Sequence, residues 1–190
     1  MKKGLLASSV FILMTMLVAC SGDRNVTLSS EEFQTLVTEG FPSPQIVTVD
    51  LPATARATLY LQTPEVIFAD SRKTVSWVIS GEVDLDFAGK FSSGPMSLVL
   101  KGNSELNISP QEHAVFLDNV TISSRDISVQ SELVQMMVLD GLADIVAKRL
   151  DNLLLFPVSE DTPLAALMSA KGVGYRIEPD AIVLTSLNGG

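Results

Sequence analysis

The sequence predicts an α+β domain in which a long, curled antiparallel β-sheet wraps around a long apolar α-helix. Three stretches carry that prediction. Trp77–Phe91, WVISGEVDLDFAGKF, alternates apolar with mostly polar residues over fifteen positions, the period of a half-buried strand. At about 3.3 Å per residue such a strand reaches about 50 Å, against roughly 40 Å for the breadth of a compact domain of this length. Met96–Ile108 is a second long alternation, with Met96, Leu98, Leu100, Leu106 and Ile108 on one face. The period then changes. In Ser131–Leu155, Asp140, Asp144, Lys148 and Asp151 mark one polar stripe at helical spacing, and nearly everything else is apolar. A helix this apolar around its circumference is covered on several sides, and at 1.5 Å per residue it spans roughly 37 Å. Gly81 and Gly89 interrupt the apolar face of the first strand, where a bend or bulge is wanted. A bent sheet around a long helix makes the domain elongated.

The shorter elements have end signals of their own. Ser29-Ser30-Glu31-Glu32 matches a capping box, with Leu28 and Phe33 placed for a hydrophobic staple. The helix it opens buries Phe33, Leu36 and Val37 and stops at Gly40, with Pro42 beyond. Alternating pieces at Thr58–Gln62, Glu65–Phe68, Thr74–Phe91, Met96–Ile108 and Ala114–Ile122 read as strands. Thr162-Pro163 caps a short helix that Gly172 ends. Val173–Ile177 and Ile182–Leu187 form a hairpin around Glu178-Pro179-Asp180-Ala181.

The start of the chain is specific. Met1–Cys20, MKKGLLASSVFILMTMLVAC, has a positive beginning in Lys2 and Lys3 and an apolar run from Leu5 to Val18. That is the pattern of a secretory signal, too short to be a membrane-spanning helix. It ends in Leu17-Val18-Ala19-Cys20, which resembles the lipobox of bacterial lipoproteins. The resemblance implies cleavage of a signal peptide over 1–19 and a diacylglycerol cysteine, carrying acyl chains such as palmitate, at Cys20. Residues 20–26 are then a lipidated tether, and 27–190 one domain. Ser21, not Asp, follows the cysteine, so the implied location is the outer membrane, with the folded part facing the periplasm. Two or more acyl chains anchor stably, where one anchors only marginally.

Composition narrows the function classes. With 13 basic and 22 acidic residues the chain carries a net charge of −9. Without the signal segment, which holds Lys2 and Lys3, 11 basic residues face 22 acidic ones, a net of −11. Such a surface is repelled by nucleic acid and by anionic lipid headgroups, so no nucleic-acid partner is expected. Cys20 is the only cysteine, so an exported domain that could use disulfides has none.

Catalysis fits poorly. The only histidine, His113, lies in the polar, turn-like Pro110-Gln111-Glu112-His113. One histidine and one acylated cysteine leave no His/Cys metal cluster and no Cys–His pair. Gly172-Val173-Gly174 leads into a strand, so it is not a phosphate-cradling loop. Glu82, Asp84 and Asp86 have the residue types of acid–base or cation chemistry. They fall on alternate positions of one strand's polar face, which solvation alone produces. No enzymatic activity, cofactor or metal is expected.

The lipobox, the short helix after it, the long glycine-bent strands, the late apolar helix and the closing IEPDAIVLTS hairpin together resemble YceB-type bacterial lipoproteins. These in turn resemble the tubular lipid-binding (TULIP) superfamily, which includes bactericidal permeability-increasing protein (BPI). The resemblance implies a helix lying along a curled sheet, with an apolar groove that holds lipid tails. The residues placed to line it are Trp77, Ile79, Val83, Leu85, Phe87 and Phe91 of the first long strand and Met136 and Met137 of the long helix. A closed core uses the same side chains simply to fill space. Two functions follow: a membrane-anchored carrier or sensor that binds a lipid or other apolar molecule in the cell envelope, or a structural adaptor lipoprotein that engages an envelope protein.

Overall fold

The computed structural model describes residues 25–51, 55–68, 73–127, 144–169 and 172–186. The described chain is mostly β, with a few short helices. The elements are β1 (Asn25–Ser29), α1 (Ser30–Gly40), β2 (Gln45–Leu51), β3 (Ala55–Leu61), β4 (Glu65–Phe68), β5 (Val75–Phe87), β6 (Phe91–Ser92), β7 (Met96–Ser109), β8 (Ala114–Ile127), a helical stretch α2 at 144–150, β9 (Leu154–Pro157), α3 (Pro163–Met168), β10 (Val173–Glu178) and β11 (Ala181–Ser186). An eight-stranded antiparallel sheet runs β2-β3-β5-β7-β8-β9, with β4 and β6 also paired to β5. A second, three-stranded sheet runs β1-β11-β10. β1 pairs with β11 from Asn25 onward, with Asn25 opposite Thr185.

The large sheet is curled, and α1 shows by how much. β4 and β9 are separated in the sheet by β5, β7 and β8. Yet Phe33 of α1 stands edge-on against Phe68 of β4 and against Phe156 of β9, with ring centroids 5.4 Å apart in both pairs. One ring therefore bridges strands that a flat sheet would hold far apart, and α1 seals that end of the half-barrel. Gln34 adds to the closure. Its Nε2 donates to the Pro64 carbonyl and its Oε1 accepts from the Val66 amide, both at 2.9 Å, so it pairs the outer edge of β4.

The helix starts where the sequence places it. Ser29 and Glu32 form both hydrogen bonds of the capping box, and Leu28 and Phe33 are buried in the core. Gly40, however, is the last residue of α1 and not a left-handed cap. A Cβ there would lie 2.4 Å from the Cβ of Phe156, so this glycine lets α1 press against β9. Thr162 caps α3 with its hydroxyl accepting from the Ala165 amide at 3.2 Å, but the helix ends at Met168, before Gly172.

Two long elements end earlier than the sequence predicts. β5 is a strand of 13 residues that ends at Phe87. Ala88 (φ 55°) and Gly89 (φ 67°) are both left-handed and reverse the chain, a conformation glycine adopts without strain. The Lys90 amide donates to the Phe87 carbonyl at 3.0 Å, and β6 returns alongside, with Phe91 opposite Phe87. Gly89 thus turns a hairpin and does not bulge a strand. Gly81 does remain inside β5, where a Cβ would come 2.3 Å from the carbonyl oxygen of Tyr60.

The late helix does not run to Leu155. Helical backbone ends at Leu150, Asn152 is left-handed (φ 64°), and Leu154–Pro157 is strand β9, paired with β8. The Asn152 amide donates to the Leu117 carbonyl, and the Leu117 amide donates to the Leu153 carbonyl, both at 2.9 Å. Asp151 Oδ1 accepts from the Val120 amide at 2.7 Å. Pairing with the open edge of β8 competes successfully with further helix. Residues 131–143 lie outside the described residues, so only the end of the expected long helix is described.

Candidate functional site: the apolar inner face of the curled sheet

The inner face is built by cross-strand pairs. Ala57 faces Leu85, Leu59 faces Val83 and Val83 faces Met96. Ile79 faces Leu100, and Trp77 lies between Val66 of β4 and Gly102 of β7. Residues directly opposite each other share a face, so apolar rungs run from β3 across β5 to β7. Burial alternates along β5 and β7, as the period of two requires. Arg125 of β8 stands opposite Leu100, which puts a half-buried charge at the far side of this strip.

Of the residues expected to line a groove, Trp77, Ile79, Val83 and Leu85 are all buried on this face and belong to one continuous core. Phe87 is half-buried at its end. Phe91 pairs with Phe87 through its backbone. Met136, Met137 and Cys20 lie outside the described residues. Val146 and Leu150 of α2 join the same core.

Trp77 occupies a notch in β7. A Cβ on Gly102 would lie 2.3 Å from Cζ2 of the indole, so the ring rests where residue 102 has no side chain. Next to Gly102 the β7–β8 register shifts, once between Lys101 and Gly102 and again between Asn103 and Glu105. Ser104, within the second shift, is 1% exposed. Neither Ser104 Oγ nor Trp77 Nε1 has a hydrogen-bond partner, and Gln45 Oε1 in β2 is a third such atom. Leaving a buried polar group unpaired costs about 1–3 kcal/mol. Neither the notch at Gly102 nor the buried serine is part of the sequence-based site. A glycine followed two positions later by a serine on an otherwise apolar strand face is the signal that points to them.

The second sheet docks through Tyr175. β5 begins at Val75, opposite Ser104, so β7 runs on past it. The Leu106 amide donates to the Tyr175 hydroxyl at 2.8 Å, and that hydroxyl donates to the Lys73 carbonyl at 2.9 Å. Burial raises the phenol above its ordinary value, the Leu106 hydrogen bond opposes this, and Glu105 and Asp118 add to the rise.

The residues considered for catalysis have local roles. Asp86 Oδ1 accepts from the Gly89 amide at 2.9 Å, and Asp84 Oδ1 accepts from the Ser92 hydroxyl at 2.8 Å. Both brace the β5–β6 hairpin, beyond the solvation expected of them, while Glu82 is exposed. His113 is exposed in the β7–β8 turn (φ 49°), with its carbonyl accepting from the Val158 amide at 2.7 Å. Among the described residues, no three His, Cys, Asp or Glu side chains group closely enough to hold a metal. Among them, too, no helix is long and apolar enough to cross a membrane.

No family model matches the chain, YceB-type lipoproteins included, and no curated protein matches it. Among solved structures it is similar to the crystal structure of a lipopolysaccharide binding protein. The TM-score is 0.30 and the sequence identity 9%, over 87% of this chain and 49% of that one. The chain therefore spans about half the length of that protein.

Proposed function

We propose that this protein is a non-catalytic envelope lipoprotein, tethered through Cys20 to the outer membrane, that holds an acyl or other apolar chain against the inner face of its curled sheet. The observation that carries this reading is the run of apolar rungs across β3, β5 and β7, from Ala57–Leu85 to Ile79–Leu100. The strip's side chains are buried in one core, so a hydrocarbon chain, whose chemistry it suits, enters by parting the packing over it. Burying about fifteen methylenes at about 0.8 kcal/mol each gives roughly 12 kcal/mol. Ordering the chain and withdrawing it from a bilayer offset much of that gain, which leaves modest, reversible binding. The turn roles of Asp84 and Asp86 and the exposed position of His113 support a non-catalytic reading.

The second reading is an adaptor that binds an envelope protein. It draws on Ile46 and Ile67, which are 62% and 46% exposed. One paired measurement separates the two. Native mass spectrometry of the purified protein reads bound lipid, and thermal unfolding reads stability, for wild type and Leu85→Trp. Carrier function expects lipid in the wild type and less in the variant, and because Leu85 is 1% exposed the variant's midpoint falls whether or not lipid binds. No lipid in the wild type, with a midpoint lowered by overpacking worth about 1–3 kcal/mol, rejects the carrier and leaves the adaptor.

A further inference from the structure

Two polar atoms on the apolar inner face are unused by the fold: Trp77 Nε1 and Ser104 Oγ, both buried and without a hydrogen-bond partner. The two residues are each 1% exposed. They lie on one face of adjacent strands. Trp77 is opposite Gly102, and Ser104 follows two residues later on the same face of β7, opposite Val75. The indole reaches across to β7 with Cζ2 over Gly102, and Nε1 is two bonds from Cζ2. An oxygen atom about 2.7–3.0 Å from each group can bridge a donor and a hydroxyl that are up to about 6 Å apart.

Resting on the reading above, we infer that Trp77 Nε1 and Ser104 Oγ form a polar subsite that selects an oxygen-bearing lipid, such as a fatty alcohol or acyl ester, over a plain hydrocarbon. An indole N–H only donates, so the ligand atom must accept, while the serine hydroxyl donates or accepts as the ligand requires. The neighbours Ile79, Leu100 and Leu106 are buried and apolar, and the half-buried Arg125 lies beyond Leu100 on the next strand, so beside the two polar atoms themselves a neutral oxygen suits the site better than an ionised carboxylate. The apolar rungs bind the tail without regard to its ends, and the two polar atoms fix where along the chain the oxygen sits.

Hexadecanol and hexadecane are the probes, equal in chain length and differing in one hydroxyl. The full chain, stripped of bound lipid, is titrated with each, and occupancy is read by native mass spectrometry. Trp77 is the only tryptophan, so its emission reports on the indole directly. Hexadecanol is expected to bind about ten-fold more tightly than hexadecane, the ratio that one hydrogen bond of ordinary strength gives. Ser104→Ala, which removes one hydroxyl and keeps the packing, should bring hexadecanol close to hexadecane and leave hexadecane unchanged. Trp77→Phe should do the same through the other partner. Equal binding of both probes, still reduced by Leu85→Trp, overturns the subsite and keeps the apolar face, since the two atoms then serve a buried water. Binding of neither probe overturns both.

Discussion

The indole of Trp77 lies over Gly102 on the adjacent strand, with Cζ2 only 2.3 Å from where a Cβ of residue 102 would stand. On the same side, that Cβ would be 2.2 Å from the backbone carbonyl oxygen of Thr121. A flexible side chain could give way, but the carbonyl of a paired strand cannot. Gly102→Ala should therefore displace Trp77 and lower stability by at least the 1–3 kcal/mol typical of overpacking, roughly. Denaturant unfolding measures the loss, and the emission of the sole tryptophan reports the displacement. A variant with wild-type midpoint and emission would mean that the notch is not closed as described.

Phe33 tests the curl. It contacts both Phe68 and Phe156, so its loss opens the seam between β4 and β9 as well as a cavity. Phe33→Ala should cost about 3–5 kcal/mol. Ile46, 62% exposed, is the control, and Ile46→Ala should change stability by less than about 0.5 kcal/mol. Similar midpoints for the two variants would remove α1 as the closing element.

Cys20 tests the anchor. Cys20→Ser should abolish incorporation of labelled fatty acid and release the protein from membranes. Continued labelling of that variant would reject the lipoprotein reading, whatever the inner face binds.

Much of the sheet was legible because burial on one side forces a period of two. β4 lies at Glu65–Phe68 in both sequence and structure, and the inner faces of β5 and β7 are the ones the alternation marks. The period failed at ends. The β5–β6 reversal places Phe91 four positions after Phe87, an even step, so the alternation passes through the turn unbroken. Only the pair Ala88-Gly89 signals it, and an alanine at φ 55° is not a conformation that residue type announces. Leu153-Leu154-Leu155 likewise continues an apolar helical face in sequence. The strand conformation from Leu154 onward comes from pairing with the edge of β8, a partner distant in the chain. The apolar face of the candidate site was thus readable residue by residue. Its polar subsite was not, because it depends on the cross-strand register that sets Trp77 opposite Gly102 and Val75 opposite Ser104.

Tyr175 links the two sheets by accepting from the Leu106 amide, and its proton adds a bond to the Lys73 carbonyl just before β5. The neutral hydroxyl accepts from Leu106 and donates to Lys73, and the phenolate would lose the donated bond. With burial as the largest cause, its folded pKa is raised above the ordinary 10.0. A raised folded value means that the folded state holds the proton more tightly than the unfolded chain. The stabilisation is therefore fully present below pH 10 and is lost as pH rises through the folded pKa. Tyr175→Phe should cost about 1–2 kcal/mol at neutral pH, because the Leu106 amide loses its partner. The variant should also lose less stability than wild type above pH 10, so the two curves converge there. Unfolding midpoints of both proteins from pH 7 to 11.5 test this. Curves that stay parallel across that range would show that the bond donated by the Tyr175 proton to Lys73 adds no stability.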